Sequence, residues 1–380
     1  MLLWKPLSLA AALAVLLSAC QPQAPGAASS APPEDADGDV SVVQEEPPAP
    51  PEPQPVLTQG DVDQALDEVM QEYTAAAVSV ATIEHGQLSK SGAWGWAVKN
   101  EREMTDDTKV RIASISKVAV GLCAMAMAED GLLDLDAPLS TYWGVNPYSQ
   151  TQPTVVDLMT HTSSLKDLST TRGLSTLRGL LNSSSSWRSM EPGNGGYWYY
   201  SNFGFCVLGT TLELASGQLL DDYFQSRILE PMGIRATFYS GKLEEDEVAT
   251  LYTTGGVGRS AAEHAGQSVP TEIGMGASYY PGGLTISAVD MANLMSILAN
   301  DGMYQGEQYI SEELVAAMET PQFTVDPGES GTPFEQCLVL RRQENLLGQD
   351  VLYYHTGSAY GVFSLMSYNP ETGNGVVVIT

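Results

Sequence analysis

Arg111-Ile112-Ala113-Ser114-Ile115-Ser116-Lys117 opens an apolar run, Val118 to Ala128, that stops at Glu129-Asp130-Gly131. The pattern predicts a helix closed by a glycine at its C-terminal end. Residues three apart share a helix face, so the Lys117 amine can lie beside the Ser114 hydroxyl. A serine hydroxyl becomes a nucleophile once a base takes its proton. Lysine can be that base where burial and nearby positive charge lower its pKa. A hydroxyl at a helix N-terminus also meets backbone N–H groups that favour negative charge developing on a substrate oxygen. By themselves, residues 114–117 are more simply read as an N-cap serine beside a surface lysine. The rest of the chain decides.

Upstream, residues 60–73 read as a helix with Val62, Ala65, Leu66, Val69 and Met70 on one side. Residues 77–83 alternate as a strand, His85-Gly86 turns the chain, and residues 87–96 form a second strand. Downstream come helical stretches over 154–160, 202–216, 219–228 and 287–300, the last capped at Ser287 or Asp290. Strands return over 352–355, 362–369 and 375–380. Strands at both ends with helices between predict an α+β fold. An antiparallel sheet is built from the N- and C-terminal segments, with a helical region inserted in the middle and a cleft between the two. Gly282-Gly283 is expected to shape the floor of that cleft.

The chain has 380 residues, 43% of them hydrophobic, enough for a large core. Its formal net charge of -29 excludes nucleic acid as a partner, because phosphate binding needs a basic face. Met1 to Lys5 carries one positive charge, and Leu7 to Leu17 is an apolar run too short for a stable membrane span. It ends in Leu17-Ser18-Ala19-Cys20, which resembles a bacterial lipoprotein signal with cleavage before, and lipid attachment to, Cys20. Residues 1–20 are therefore expected to be a signal peptide that leaves the protein exported and lipid-anchored to a bacterial membrane. Residues 21–57, rich in Pro, Ala and acid, cannot build a core and are expected to form an extended linker; the folded domain spans 58–380. Cys123, Cys206 and Cys337 remain, an odd number that makes no disulfide framework; Cys123 and Cys206 sit in apolar runs as expected buried thiols. His85, His161, His264 and His355 are scattered without metal-ligand spacing, so no metal is expected, and no cofactor.

Three motifs stand in order: Ser114-x-x-Lys117, Tyr200-Ser201-Asn202, and His355-Thr356-Gly357. With the stretches Leu158-Met159-Thr160-His161-Thr162-Ser163-Ser164-Leu165 and Gly282-Gly283-Leu284-Thr285-Ile286-Ser287, they make residues 58–380 similar to the serine β-lactamase and penicillin-binding-protein-like family, in its class C-related branch. The resemblance implies Ser114 as nucleophile and Lys117 with Tyr200 as shared base and acid. Both have high intrinsic pKa values that a buried cationic site can lower. Asn202 is expected to orient Lys117 and a substrate amide. His355, Thr356, Gly357 and Ser358 are expected to bind substrate, with the N–H groups of Ser114 and Ser358 as the oxyanion hole that the family implies. His161 is expected to be a packed histidine.

His355 stands where β-lactamases and transpeptidases of the family usually carry lysine. A histidine is mostly uncharged at neutral pH, so it is expected to grip an anionic substrate less firmly. The run Val376-Val377-Val378-Ile379-Thr380 is also where relatives continue into a further segment, usually a helix on the sheet, and an uncovered sheet face would expose apolar surface. The expected activity is an exported serine hydrolase working through an acyl-enzyme. Its substrates would be D-amino-acid cell-wall peptides, including peptidoglycan stem peptides, or small esters and amides. A true β-lactamase and a penicillin- or muropeptide-binding sensor without turnover are the rivals.

Overall fold

A computed structural model describes residues 59–144, 152–169, 171–193, 197–328 and 331–380. The expected signal segment with Cys20, and the linker 21–57, lie outside the described residues. Helix α1 (Gln59–Tyr73) leads into strands β1 (Ala77–Glu84), β2 (Gln87–Val98) and β3 (Arg102–Glu103). The helical region follows, with α2 (Ser116–Glu129), α3 (Asn202–Ser216) and α4 (Ala288–Ala299) as its long members. The chain then returns through β4 (Phe323–Val325), β5 (Phe334–Gln336), β6 (Arg341–Leu346), β7 (Gln349–Ala359), β8 (Val362–Asn369) and β9 (Asn374–Ile379).

These strands form one sheet in the order β4-β5-β6-β7-β8-β9-β1-β2-β3, antiparallel at every pairing. Its middle joins the two ends of the domain, Ser79 opposite Ile379 and Val80 opposite Val378. Side chains alternate across a strand. Val78, Val80, Val376 and Val378 therefore pack with Leu66 of α1 on one face, while Ala81, Ile83, Val377 and Ile379 enter the main core on the other. There α4 lies on β1 and β9. Each such fully buried valine or isoleucine stabilises the fold by about 1.5–3 kcal/mol of removed apolar surface. Every side chain of α2 from Ser116 to Met127 is buried. A helix with no polar face is a core helix, and this one fixes the origin of the active-site motif.

Three expectations need correction. The segment expected as a strand over 352–355 is the longer β7, which carries the whole third motif. Strands β4 to β6 have no counterpart in the sequence reading, because Arg341-Arg342-Gln343-Glu344 shows no apolar alternation and is held by its neighbours. The helix expected over 219–228 is broken into Leu220–Phe224, a π-helical turn Gln225–Leu229 and Glu230–Met232. Pro231 has no N–H with which to continue the regular ladder there.

Candidate active site

The expected nucleophile, Ser114, is presented by an unusual backbone. Ala113 has φ +52°, a left-handed conformation rare for a residue with a Cβ, immediately before Ser114. Ser116 staples this bend: its hydroxyl donates to Ala113 O at 2.6 Å and accepts from Leu284 N–H at 3.1 Å. Ile112 N–H donates to Leu284 O at 2.9 Å, tying the segment to the strand pair Val110–Arg111 and Thr285–Ile286. A short 3-10 turn, Ala113–Ile115, then runs into α2.

Lys117, one turn on, is fully buried. Its Nζ lies 3.2 Å from Ser114 Oγ, 2.9 Å from Asn202 Oδ1 and 2.6 Å from Pro281 O. Two of these acceptors, an amide and a peptide carbonyl, have no proton to return. Two amine hydrogens are thereby committed to them, and the third position faces Ser114. A protonated Lys117 donates there; a neutral one offers its lone pair to the serine hydroxyl. Burial pulls the Lys117 pKa down, opposed by the Tyr200 hydroxyl. The neutral form is thus favoured relative to an exposed lysine.

Asn202 is the first residue of α3, whose N-cap is Ser201, with its hydroxyl accepting from Gly204 N–H at 2.9 Å. The Lys117 amine sits 4.9 Å from the centre of the Tyr200 ring. His161 braces this corner. Its ring is 4.4 Å from that of Tyr200, and its Nδ1 accepts from Ser201 N–H at 3.2 Å. Burial, then Lys117, hold its pKa well below the ordinary value, so it is a neutral packed histidine, as expected.

The third motif enters from the sheet. Strand β7 pairs with β6 from Gln349 to Tyr354 and with β8 from Tyr353 to Ala359, so only Tyr353 and Tyr354 are paired on both sides; from His355 onward the edge that faced β6 carries no strand. A Cβ on Gly357 would stand 2.3 Å from Ser364 Oγ, 2.8 Å from Ile112 O and 3.0 Å from Ser114 N. Only glycine lets this strand lie against the nucleophile's backbone. The expected oxyanion donors, Ser114 N–H and Ser358 N–H, thus belong to two segments in contact at Gly357. Ser364 locks the contact by donating to Ile112 O at 2.7 Å. His355 is buried, with Nδ1 2.8 Å from Thr356 O, and burial followed by Arg341 and Lys117 hold its pKa well below the ordinary value. Thr356 and Ser358 are exposed.

The family model described as Beta-lactamase matches residues 62–380. The chain belongs to the Beta-lactamase family. Its fold is the β-lactamase-like α+β fold: it superposes on the octameric penicillin-binding protein homologue from Pyrococcus abyssi with a TM-score of 0.67 at 25% identity, covering 84% of this chain and 72% of that one. It is 28% identical to the esterase EstB of Burkholderia gladioli over 198 residues, 46% of this chain and 50% of the esterase, so the match spans about half the length of that relative. It is 24% identical to the D-alanyl-D-alanine-carboxypeptidase/endopeptidase AmpH of Escherichia coli K12 over 343 residues, 86% of this chain and 84% of AmpH.

Within this family site, the sequence reading missed several residues that the fold brings in. Ser116 and Ser364 brace Ser114, and Pro281 and Gly282 offer carbonyls to Lys117 and to Arg111 Nε, the latter at 2.9 Å. Asp167 accepts from Phe203 N–H at 3.0 Å at the start of α3. Arg341 reaches the third motif from β6: its guanidinium lies 4.6 Å from the Phe334 ring and holds down the pKa of His355. Its neighbour Arg342 is paired to Glu335 and Glu344, whereas no carboxylate pairs with Arg341 among the described residues. Among the described residues no group of His, Cys, Asp or Glu could hold a metal ion. Cys123, Cys206 and Cys337 are buried free thiols.

Proposed function

We propose that this chain is an exported serine hydrolase that works through an acyl-enzyme on Ser114, and that it acts on D-amino-acid peptides bearing a free carboxylate. The observation that carries the reading is the fully buried Lys117, held by neutral acceptors and bonded to Ser114 Oγ at 3.2 Å. A lysine placed this way is a base, because no carboxylate pair keeps it charged.

Neutral Lys117, with Tyr200, takes the Ser114 proton as Oγ bonds to the substrate carbonyl carbon. The carbonyl oxygen becomes an oxyanion at the N–H groups of Ser114 and Ser358. Collapse breaks the bond to the leaving amine or alkoxide, which takes the proton from Tyr200 or Lys117. Water, deprotonated by the same pair, then attacks the acyl carbon and releases Ser114.

Arg341 supports the carboxylate preference. It supplies beside the third motif the permanent cation that His355 is not, and it lies at the open edge of β7, where a peptide backbone can align. The similarity to AmpH, over most of both chains, supports the same substrate class. The Leu17-Ser18-Ala19-Cys20 pattern supports a lipid tether that would keep the domain near peptidoglycan stem peptides.

Release of D-alanine from a D-alanyl-D-alanine peptide and hydrolysis of a neutral chromogenic ester, each by wild type and Ser114→Ala, test the reading. Turnover of both by wild type alone, with the higher kcat/KM on the peptide, is expected. Ester turnover without any peptide turnover would remove the carboxylate preference, and turnover that survives in Ser114→Ala would remove the mechanism.

A further inference from the structure

Glu213 lies on α3, about three turns beyond Asn202, and so on the same face of that helix. It is fully buried. Its carboxylate accepts from Gly274 N–H at 2.7 Å, from the Tyr280 hydroxyl, and from Leu220 N–H at 3.4 Å. The Tyr280 oxygen is in turn 2.6 Å from that of Tyr239. Gly209, one turn before Glu213, makes room for this contact: a Cβ there would stand 2.0 Å from Tyr280 Cδ2, so the tyrosine lies directly on the helix. Residues 281 and 282 follow at once. Pro281 O accepts from Lys117 Nζ at 2.6 Å and Gly282 O from Arg111 Nε at 2.9 Å. One carboxylate thus holds the segment 274–280 at both ends, and that segment delivers the carbonyl that fixes the catalytic amine. Packing alone does not require this, since an uncompensated carboxylate in the core is costly and an apolar side chain would fill the space.

We propose that Glu213 is a positioning residue for Lys117: through Gly274 and Tyr280 its carboxylate sets the turn whose Pro281 carbonyl aims the amine at Ser114. The inference rests on the reading of Ser114 as the acylated nucleophile. Together, Asn202 and Glu213 make α3 a single strut that grips Lys117 directly at one end and through the turn at the other.

The strut is sensitive to protonation. Burial pushes the Glu213 carboxyl up to about 7, against the lowering by Tyr280, Gly274 and Leu220. The groups acting on it are Tyr280 and Tyr239 from the facing segments, and Asp222 from the helix Leu220–Phe224. Asp222 and its neighbour Asp221 are themselves bonded to Lys242 at 2.8 and 2.9 Å. Ionised Glu213 accepts from Tyr280 and Gly274 with charge-assisted bonds. Protonated, it must donate through one oxygen, and the bonds that remain are weaker neutral ones. The positioning is therefore present above the Glu213 pKa and fades as pH falls through it.

The test is the rate of Ser114 acylation by a fluorophosphonate, read by intact mass from about pH 6 to about pH 8, a window that brackets the ionisation. Wild type, Glu213→Gln and Tyr280→Phe are compared as the full chain. Glutamine imitates the protonated acid. The wild-type rate should exceed that of Glu213→Gln by about 10-fold at the high end and converge on it at the low end, the size of one charge-assisted hydrogen bond. A ratio that stays constant across the range overturns the inference. If Glu213→Gln does not fold, Tyr280→Phe decides. It keeps the ring against Gly209 and should show the same pH-dependent ratio, while equal rates at every pH overturn the proposal. Folded wild type that gains no adduct would overturn the Ser114 reading instead, a distinguishable result.

Discussion

On the helical wall of the cleft, Lys117 is buried and each of its donor positions meets an acceptor between 2.6 and 3.2 Å away. On the sheet wall, Thr356 and Ser358 are exposed, and Arg341 stands beside His355 with no carboxylate paired to it among the described residues. The helical wall is over-determined: Ser116, Asn202 and Pro281 each fix one coordinate of the Ser114–Lys117 pair, and Ser364 ties it to the sheet. The sheet wall is a strand edge with a cation held over the Phe334 ring. The first geometry suits chemistry, which needs reacting groups placed to within a fraction of an ångström. The second suits recognition of a substrate that completes the strand edge and neutralises the arginine. On the proposed reading, nucleophile and specificity are built by different physics and meet where Gly357 and Ser364 touch the Ile112–Ser114 backbone.

The largest effect that separates the walls should come from Lys117→Met. Loss of the base is expected to lower kcat/KM by about 10³-fold for peptide and ester alike, in steady-state kinetics. The melting temperature should change little, because relief of the cost of burying the amine offsets the loss of its bonds to Asn202 Oδ1 and Pro281 O. A parallel collapse of stability would mean that Lys117 holds the wall together rather than working within it. Next is Gly357→Ala, where the walls touch. The added methyl would push β7 from Ser114 N and Ile112 O, so a fall of about 10²-fold in kcat is expected, with about 1–3 kcal/mol lost from denaturant unfolding.

Arg341→Ala should act on the sheet wall alone. KM for a carboxylate-bearing peptide is expected to rise by about 10-fold or more, with kcat for a neutral ester unchanged. Equal losses on both substrates would merge the two walls. The smallest effect is a slope. Because the folded pKa of Lys117 is lowered, the unfolded chain binds more protons between that value and the ordinary lysine pKa of about 10.4. Wild-type stability relative to Lys117→Met should therefore rise with pH across that window, measured by denaturant unfolding, and a flat or falling difference would count against the depressed pKa.

The same division explains what the sequence disclosed. The approach of Lys117 to Ser114 was legible from helix spacing; Tyr200 and Asn202 were marked only by the family resemblance, and α3 begins at Asn202 as read. The sheet joining both ends of the domain was legible from the valine-rich runs around Val78 and Val376. Arg341 was not, since β6 carries no apolar alternation and its neighbourhood arises only when it pairs with Tyr354. Glu213 was hidden within an apolar helix, where one acid reads as a polar face. Its partners Gly274 and Tyr280 are some sixty residues away in sequence, so the contact exists only in the folded molecule. His355 pointed to a weaker hold on anions; Arg341, which no motif announces, is the cation we propose in its place from the neighbouring strand.

The most direct test of the central claim is intact-protein mass after incubation with a fluorophosphonate and, separately, with a penicillin, on wild type and Ser114→Ala. The account predicts a one-to-one mass gain on wild type with the fluorophosphonate, mapped to Ser114 by peptide analysis and absent from Ser114→Ala, and a penicillin adduct that decays as Lys117 and Tyr200 activate water. A folded wild-type protein that gains no mass from either reagent, or that is labelled equally after Ser114→Ala, would contradict it.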